Sequence, residues 1–195
     1  MKKYLVPGIF GLLVLILFGG GCSSYNGLIG YEEAVDGQWA NVETQYQRRF
    51  DLIPNLVEVV KGYADFEKST LLGVTEARAA AMGAMRSAGQ SGDLGEFQSA
   101  NKNLGVAMGR FFGYTENYPD LKANQNFLEL QSQLEGTENR ISVARERFNE
   151  TVKTYNTKIK QIPGSFIAAL KGYSERDYFQ SAEGSDAAPS VNFSE

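Results

Sequence analysis

The sequence predicts an all-α protein. The expected form is an elongated antiparallel, up-down-up-down four-helix bundle of two long and two shorter helices, preceded by an N-terminal membrane anchor or signal segment. Three observations predict it. Two distant stretches repeat apolar residues at alternating steps of three and four; no stretch reads as a strand; and behind Lys2 and Lys3 the chain opens on an uncharged stretch that, counted through Cys22, has 19 residues.

The opening segment, residues 1–22, is taken first. "MKKYLVPGIFGLLVLILFGGGCSS" has a basic start, a strongly apolar centre to Phe18, three glycines and the single cysteine, Cys22. The run is about long enough to span a hydrocarbon core, while its apolar centre matches a secretory signal core. Two readings stand: a lipoprotein signal whose Cys22 is acylated, and a plain signal anchor whose Cys22 sits at the interface. In both, Lys2 and Lys3 hold the N-terminus in the cytoplasm and the rest of the chain is expected outside it. One thiol permits no internal disulfide.

The main helical region, residues 23–180, follows. Tyr25, Leu28, Val35, Trp39, Val42, Tyr46, Phe50, Ile53, Val57 and Val60 form one apolar stripe, interrupted by polar Glu32, and predict a helix over 25–63. Val42 to Ile53 is an eleven-residue interval, which relaxes a left-handed coiled coil locally. Pro54 lies within this helix. A proline there removes one backbone donor and crowds the carbonyl of Phe50, at a cost of about 3 kcal/mol. Asp51 capping a restarted helix would relieve this, as would a continuous, kinked helix in which a side chain or water meets the Phe50 carbonyl. The unbroken stripe favours the kink at Pro54. Arg48 and Arg49 are expected to lie along the Phe50 seam with buried stems and wet heads, and are also candidate interaction residues that could grip an anionic ligand.

Two shorter helices are predicted over 65–86 and 94–112, with the Gly/Ser-rich stretch 87–95 as their hairpin. The second long helix is predicted over 121–159, with Phe127, Leu130, Leu134, Thr137, Ile141, Ala144, Phe148, Val152, Tyr155 and Ile159 on its buried face. It has its own eleven-residue interval, Ile141 to Val152, so the long helices match in length and irregularity. Glu135, Glu138, Arg140, Arg145, Glu146, Arg147 and Glu150 read as its solvated face. Long helices outreaching short ones predict a four-helix layer at one end and a two-helix stalk at the other. Pro163 stops the last helix, and Phe166, Ile167 and Leu170 are expected to fold back over the stalk. Residues 181–195 read as a flexible C-terminal tail.

From residue 22 onward there are 17 Lys and Arg against 23 Asp and Glu, a net −6. Such a balance, with no basic run, makes nucleic acid an unexpected partner. There is no histidine, which removes His-based triads and most zinc sites. No glycine-rich phosphate loop follows a strand. No catalytic residue, cofactor or metal is expected, and the chain is read as a non-enzyme.

Three segments, "YNGLIGYEEAVDGQWANVETQYQRRFDLIPNLVEVVKGYADFE", "YPDLKANQNFLELQSQLEGTENRISVARERFNETVKTYN" and the closing "PSVNF", strongly resemble the LemA family. The resemblance runs from Tyr25 to Phe193, and pairing "RRFDLIPNLV" with "LEGTENRISVAR" makes it specific. It implies a bacterial membrane-bound antiparallel helix bundle on the extracytoplasmic side, with no mapped catalytic residue. "GGGCSS" departs from the plain hydrophobic start of relatives, which bears on the anchorage and not on the fold.

The expected role is a membrane-anchored, non-catalytic scaffold or adaptor for other envelope proteins, single-pass or lipid-anchored, with a homo-oligomer also in view. Exposed aromatics Tyr173, Tyr178 and Phe193 are the candidate contact residues beside Arg48 and Arg49. The alternative is an oligomer acting directly on the bilayer, which would want a basic amphipathic face. A third, weaker reading places a small molecule where Gly136, Thr137 and Asn139 thin the packing.

Overall fold

The computed structural model describes the backbone of residues 5–62 and 68–180, and side chains from residue 21 onward within those ranges. Among the described residues there are six helices and no strand: α1 (Leu5–Lys61), α2 (Lys68–Ser91), α3 (Gly95–Thr115), α4 (Pro119–Lys122), α5 (Gln125–Lys160) and α6 (Gly164–Lys171). All-α was expected; six helices in place of four was not.

α1 is a single helix of 57 residues, about 86 Å long at 1.5 Å per residue. Its expected stripe is buried from Leu28 to Val60, joined by Leu56. α5 buries Phe127, Leu134, Thr137, Ile141, Ala144, Phe148, Val152, Tyr155 and Ile159. The two run antiparallel: Trp39 meets Phe148, Arg49 meets Glu138, and Leu28 lies beside Gly164, just past the end of α5.

The second long helix starts later than the sequence indicated. Leu121 belongs to α4, and Asn124 in extended conformation caps α5, its side chain accepting from the backbone N–H groups of Asn126 and Phe127. The α2–α3 hairpin is also tighter. α2 continues through Ala88, which is buried, and turns at Gly92, whose φ of 75° suits glycine. An alanine- and glycine-rich stretch hides a helix whose seam is made of small side chains.

α2 packs on α1 and α3, whereas the backbone of α3 lies chiefly against α2. It reaches α1 and α5 through long side chains: Phe97 against Trp39 and Tyr46, Asn101 with Arg49, and Phe112 against Phe127. The packing therefore departs from an evenly packed four-helix bundle.

α1 runs unbroken through Pro54. The Phe50 carbonyl that the proline leaves without a donor accepts a 2.6 Å hydrogen bond from Arg78 Nε of α2. The proline is thus where α2 is fastened to α1.

The stalk cover differs from expectation. Ile167 is partly buried against the core and Gly164 and Ala168 are buried, whereas Phe166 and Leu170 are 71% and 82% exposed. Gly164 sits so close to the Lys158 carbonyl that a Cβ would collide with it, which fixes the orientation of α6. Among the described residues no helix is long and apolar enough to cross a membrane. The side chains of the Tyr4–Phe18 run, and the tail 181–195 with Phe193, lie outside the described residues.

Candidate functional site

Past α6 the chain leaves the left-handed Gly172 and runs without helix from Tyr173 to Gln180, lying as a strap along α5. Side chains of α5 hold its backbone. Asn156 accepts from the Arg176 N–H and donates to the Arg176 carbonyl, both at 2.9 Å. Asn149 does the same to Phe179, also at 2.9 Å. The spacing explains the pairing: seven helical residues rise about 10.5 Å, and three extended residues span about 10 Å. The Tyr155 hydroxyl donates to the Ser174 carbonyl, and Arg145 Nη2 to that of Gln180. From the other side, Gln98 of α3 accepts from the Gln180 N–H at 2.8 Å.

The strap's Phe179 is 5% exposed. It stacks on Trp39 and meets Phe97 and Phe148 edge-on, with centroids 5.4–6.2 Å apart. This ring fills the gap that the standing-off of α3 leaves. The Arg145 guanidinium lies 4.9 Å over Phe179 and close enough to the Tyr46 phenol to act on its charge. Burial pushes Tyr46 above the usual phenol value, against the opposing pull of Arg145 and then Arg49. Burial raises Tyr155 as well, with Glu32 adding to it. Arg176 lies 3.5 Å from both Glu32 and Asp36, so the one polar interruption of the α1 stripe marks where the strap crosses.

The sequence-chosen residues fare unevenly. Arg49 does not keep a wet head: its side chain is 11% exposed and joins Glu138 at 3.2 Å and Asn101 at 3.3 Å. Arg48 is exposed. Arg145, read as part of a solvated face, is a half-buried node of the site. Tyr173 packs partly against the core, Tyr178 is 40% exposed, and Cys22 is exposed. Thr137 is buried, its hydroxyl donating to the Gln133 carbonyl. The space near Asn139 is an open groove of ≈420 Å³ between α1 and α5, lined by Gln38, Asn41, Arg140 and Arg147 together with apolar Val143 and Ala144.

Sequence reasoning missed Asn149, Asn156 and Phe179. Two asparagines seven apart beside an apolar seam were the available signal. The arrangement is suited to holding a polypeptide backbone. Among the described residues no cluster of three or more acidic or thiol groups could hold a metal.

The protein-family model described as "LemA family" matches residues 38–193, a range that contains Asn149, Asn156, Tyr155, Arg145 and Gln98, whose side chains hold the strap backbone. Magnetosome proteins MamQ 1 and MamQ 2 of Paramagnetospirillum magneticum are each 26% identical over 181 residues, covering 83% of this chain and 66% of theirs. MamQ of Magnetospirillum gryphiswaldense is similar to the same extent. The chain thus spans about two thirds, 66%, of the length of these relatives.

Proposed function

The chain belongs to the LemA family, and from that premise we propose that it is a non-catalytic scaffold of the bacterial envelope, working without a cofactor. Residues 1–22 anchor it to the cell membrane, through a single pass or a lipid on Cys22. Residues 23–180 stand as a helical body on the extracytoplasmic side, open to partner proteins. One observation carries the reading: α1 passes without a break from Leu5 into the core. In the single-pass form, a helix continuous across that boundary holds the body at a set height and orientation, as a scaffold requires. The side chains gathered at the strap support it, since they address peptide backbone and aromatic rings. The relatives' description as magnetosome proteins fits a role at a membrane-associated assembly.

The test is crosslinking in intact cells, with mass spectrometry of the copurifying proteins and of the intact N-terminus. A reproducible set of envelope proteins supports the scaffold, and the N-terminal mass distinguishes an acylated Cys22 from an uncleaved Met1. If no protein copurifies and the purified full chain reshapes lipid vesicles instead, direct action on the bilayer replaces it.

A further inference from the structure

The three most exposed large apolar side chains among the described residues lie together in one stretch: Ile162 at 78%, Phe166 at 71% and Leu170 at 82%. They stand four residues apart, on the turn before α6 and along α6 itself. Nothing among the described residues covers them, although α6 is held firmly from behind by Gly164, Ile167 and Ala168.

Their height on the molecule is set by α1. Lys171 Nζ lies 5.2 Å over the Tyr25 ring, and Gly164 abuts Leu28. α6 therefore sits level with Tyr25–Leu28, about 5–9 Å along the helix axis from Cys22. Counted from Tyr4 through Cys22 the N-terminal stretch has 19 residues, as a helix about the thickness of a hydrocarbon core, and no charge follows until Glu32. The headgroup layer beyond that core is about 5–8 Å deep on each side. The local charge also inverts: Lys158 to Lys171 holds three lysines and no acid in a chain that is otherwise acidic. Lys158 lies 5.8 Å over Tyr31, so tyrosines and lysines ring the apolar face as they do at membrane interfaces.

We propose that the Ile162–Leu170 face is a foot that seats in the headgroup region of the bilayer entered by the N-terminal segment. Ile162, Phe166 and Leu170 dip into the lipid, and Lys158 and Lys171 meet the phosphates. This rests on the anchored reading above and holds for either mode of anchorage, because both place Cys22 at the interface. With anchor and foot both engaged, the body is fixed against rotation about α1 as well as in height.

Trp39, the only tryptophan, makes the test direct. It is buried and lies about 25 Å along α1 from Cys22. The full-length chain is reconstituted in phosphatidylcholine vesicles containing lipid brominated near the carbonyl end of its acyl chains. Phe166→Trp is compared with wild type and with Leu72→Trp, which is exposed on the far end of α2 about 50 Å from the Cys22 level. Leu170→Trp repeats the measurement, and both foot positions are so exposed that an indole disturbs no packing. The expected result is roughly twofold loss of the added emission for both foot variants, with wild type and Leu72→Trp unchanged. A chain that does not float with the vesicles overturns the anchored reading and this one with it. Floating chain with unquenched foot indoles overturns the foot alone, and blue-shifted emission in that case identifies a second copy of the chain as its cover. Equal quenching of Leu72→Trp also overturns it, in favour of a body lying flat on the membrane.

Discussion

Replacing Arg78 with methionine tests the claim that a helix is fastened where proline has freed a carbonyl. The Phe50 residue is fully buried, and its carbonyl accepts from Arg78 Nε at 2.6 Å. Arg78→Met keeps most of the aliphatic stem and removes the donor. A buried acceptor left unpaired costs about 1–3 kcal/mol, and because the guanidinium is half-buried the lower part applies, about 1–2 kcal/mol. For a chain of this size that is about 2–8 °C in Tm. Pro54→Ala supplies the missing N–H, so in that background Arg78→Met should cost under about 0.5 kcal/mol, a coupling of about 1 kcal/mol across the cycle. Urea and thermal unfolding of the full chain in detergent micelles, followed by far-UV circular dichroism, measures all four proteins. Equal penalties for Arg78→Met in both backgrounds would refute the reasoning, since the arginine would then not be serving the carbonyl the proline freed.

Three further outcomes are expected. Asn149→Ala and Asn156→Ala each delete two hydrogen bonds to the strap and should cost about 1–3 kcal/mol; hydrogen exchange should rise over residues 174–180 before it rises in α5. Gly89→Ala places a Cβ 2.8 Å from Trp39 Nε1 and 3.1 Å from Glu43 Oε1, so despite alanine's better helix propensity it should lower stability by about 1–3 kcal/mol, with a changed near-UV signal from Trp39. Tyr46, Tyr155 and Tyr173 all have phenols raised above 10.0, chiefly by burial. The fold then favours the protonated form, so their contribution is full below about pH 10 and is lost as pH rises beyond it. Urea midpoints between about pH 9 and about pH 12 should fall, with Tyr46→Phe less steep than wild type.

The strap also clarifies why α3 can stand away from α1 and α5. A bundle with one helix displaced would leave a cavity lined by Trp39, Phe97 and Phe148, and such a gap is costly in proportion to its volume. Phe179 fills it from a segment that is not helical. The backbone of that extended segment has no helical partners of its own, and side chains of α5 and α3 supply them.

What could be read from residues alone was whatever is local and periodic. The buried stripe of α1 is a rotation of about 100° per residue written into residue order, so it was legible from Leu28 to Val60, and the α5 stripe was legible in the same way from Phe127 to Ile159. The family resemblance was equally legible, because "RRFDLIPNLV" and "LEGTENRISVAR" are strings. Tertiary structure alone decided which side chain meets the Phe50 carbonyl, where the strap lies and which apolar residues of α6 remain uncovered. Arg78 is 28 residues from Phe50 and no period relates them. The strap is extended and is held through its backbone, so its own side chains carry little trace of where it docks. Phe166 and Ile167 are adjacent and both apolar; only the close approach of Gly164 to the end of α5 turns one inward and leaves the other facing out.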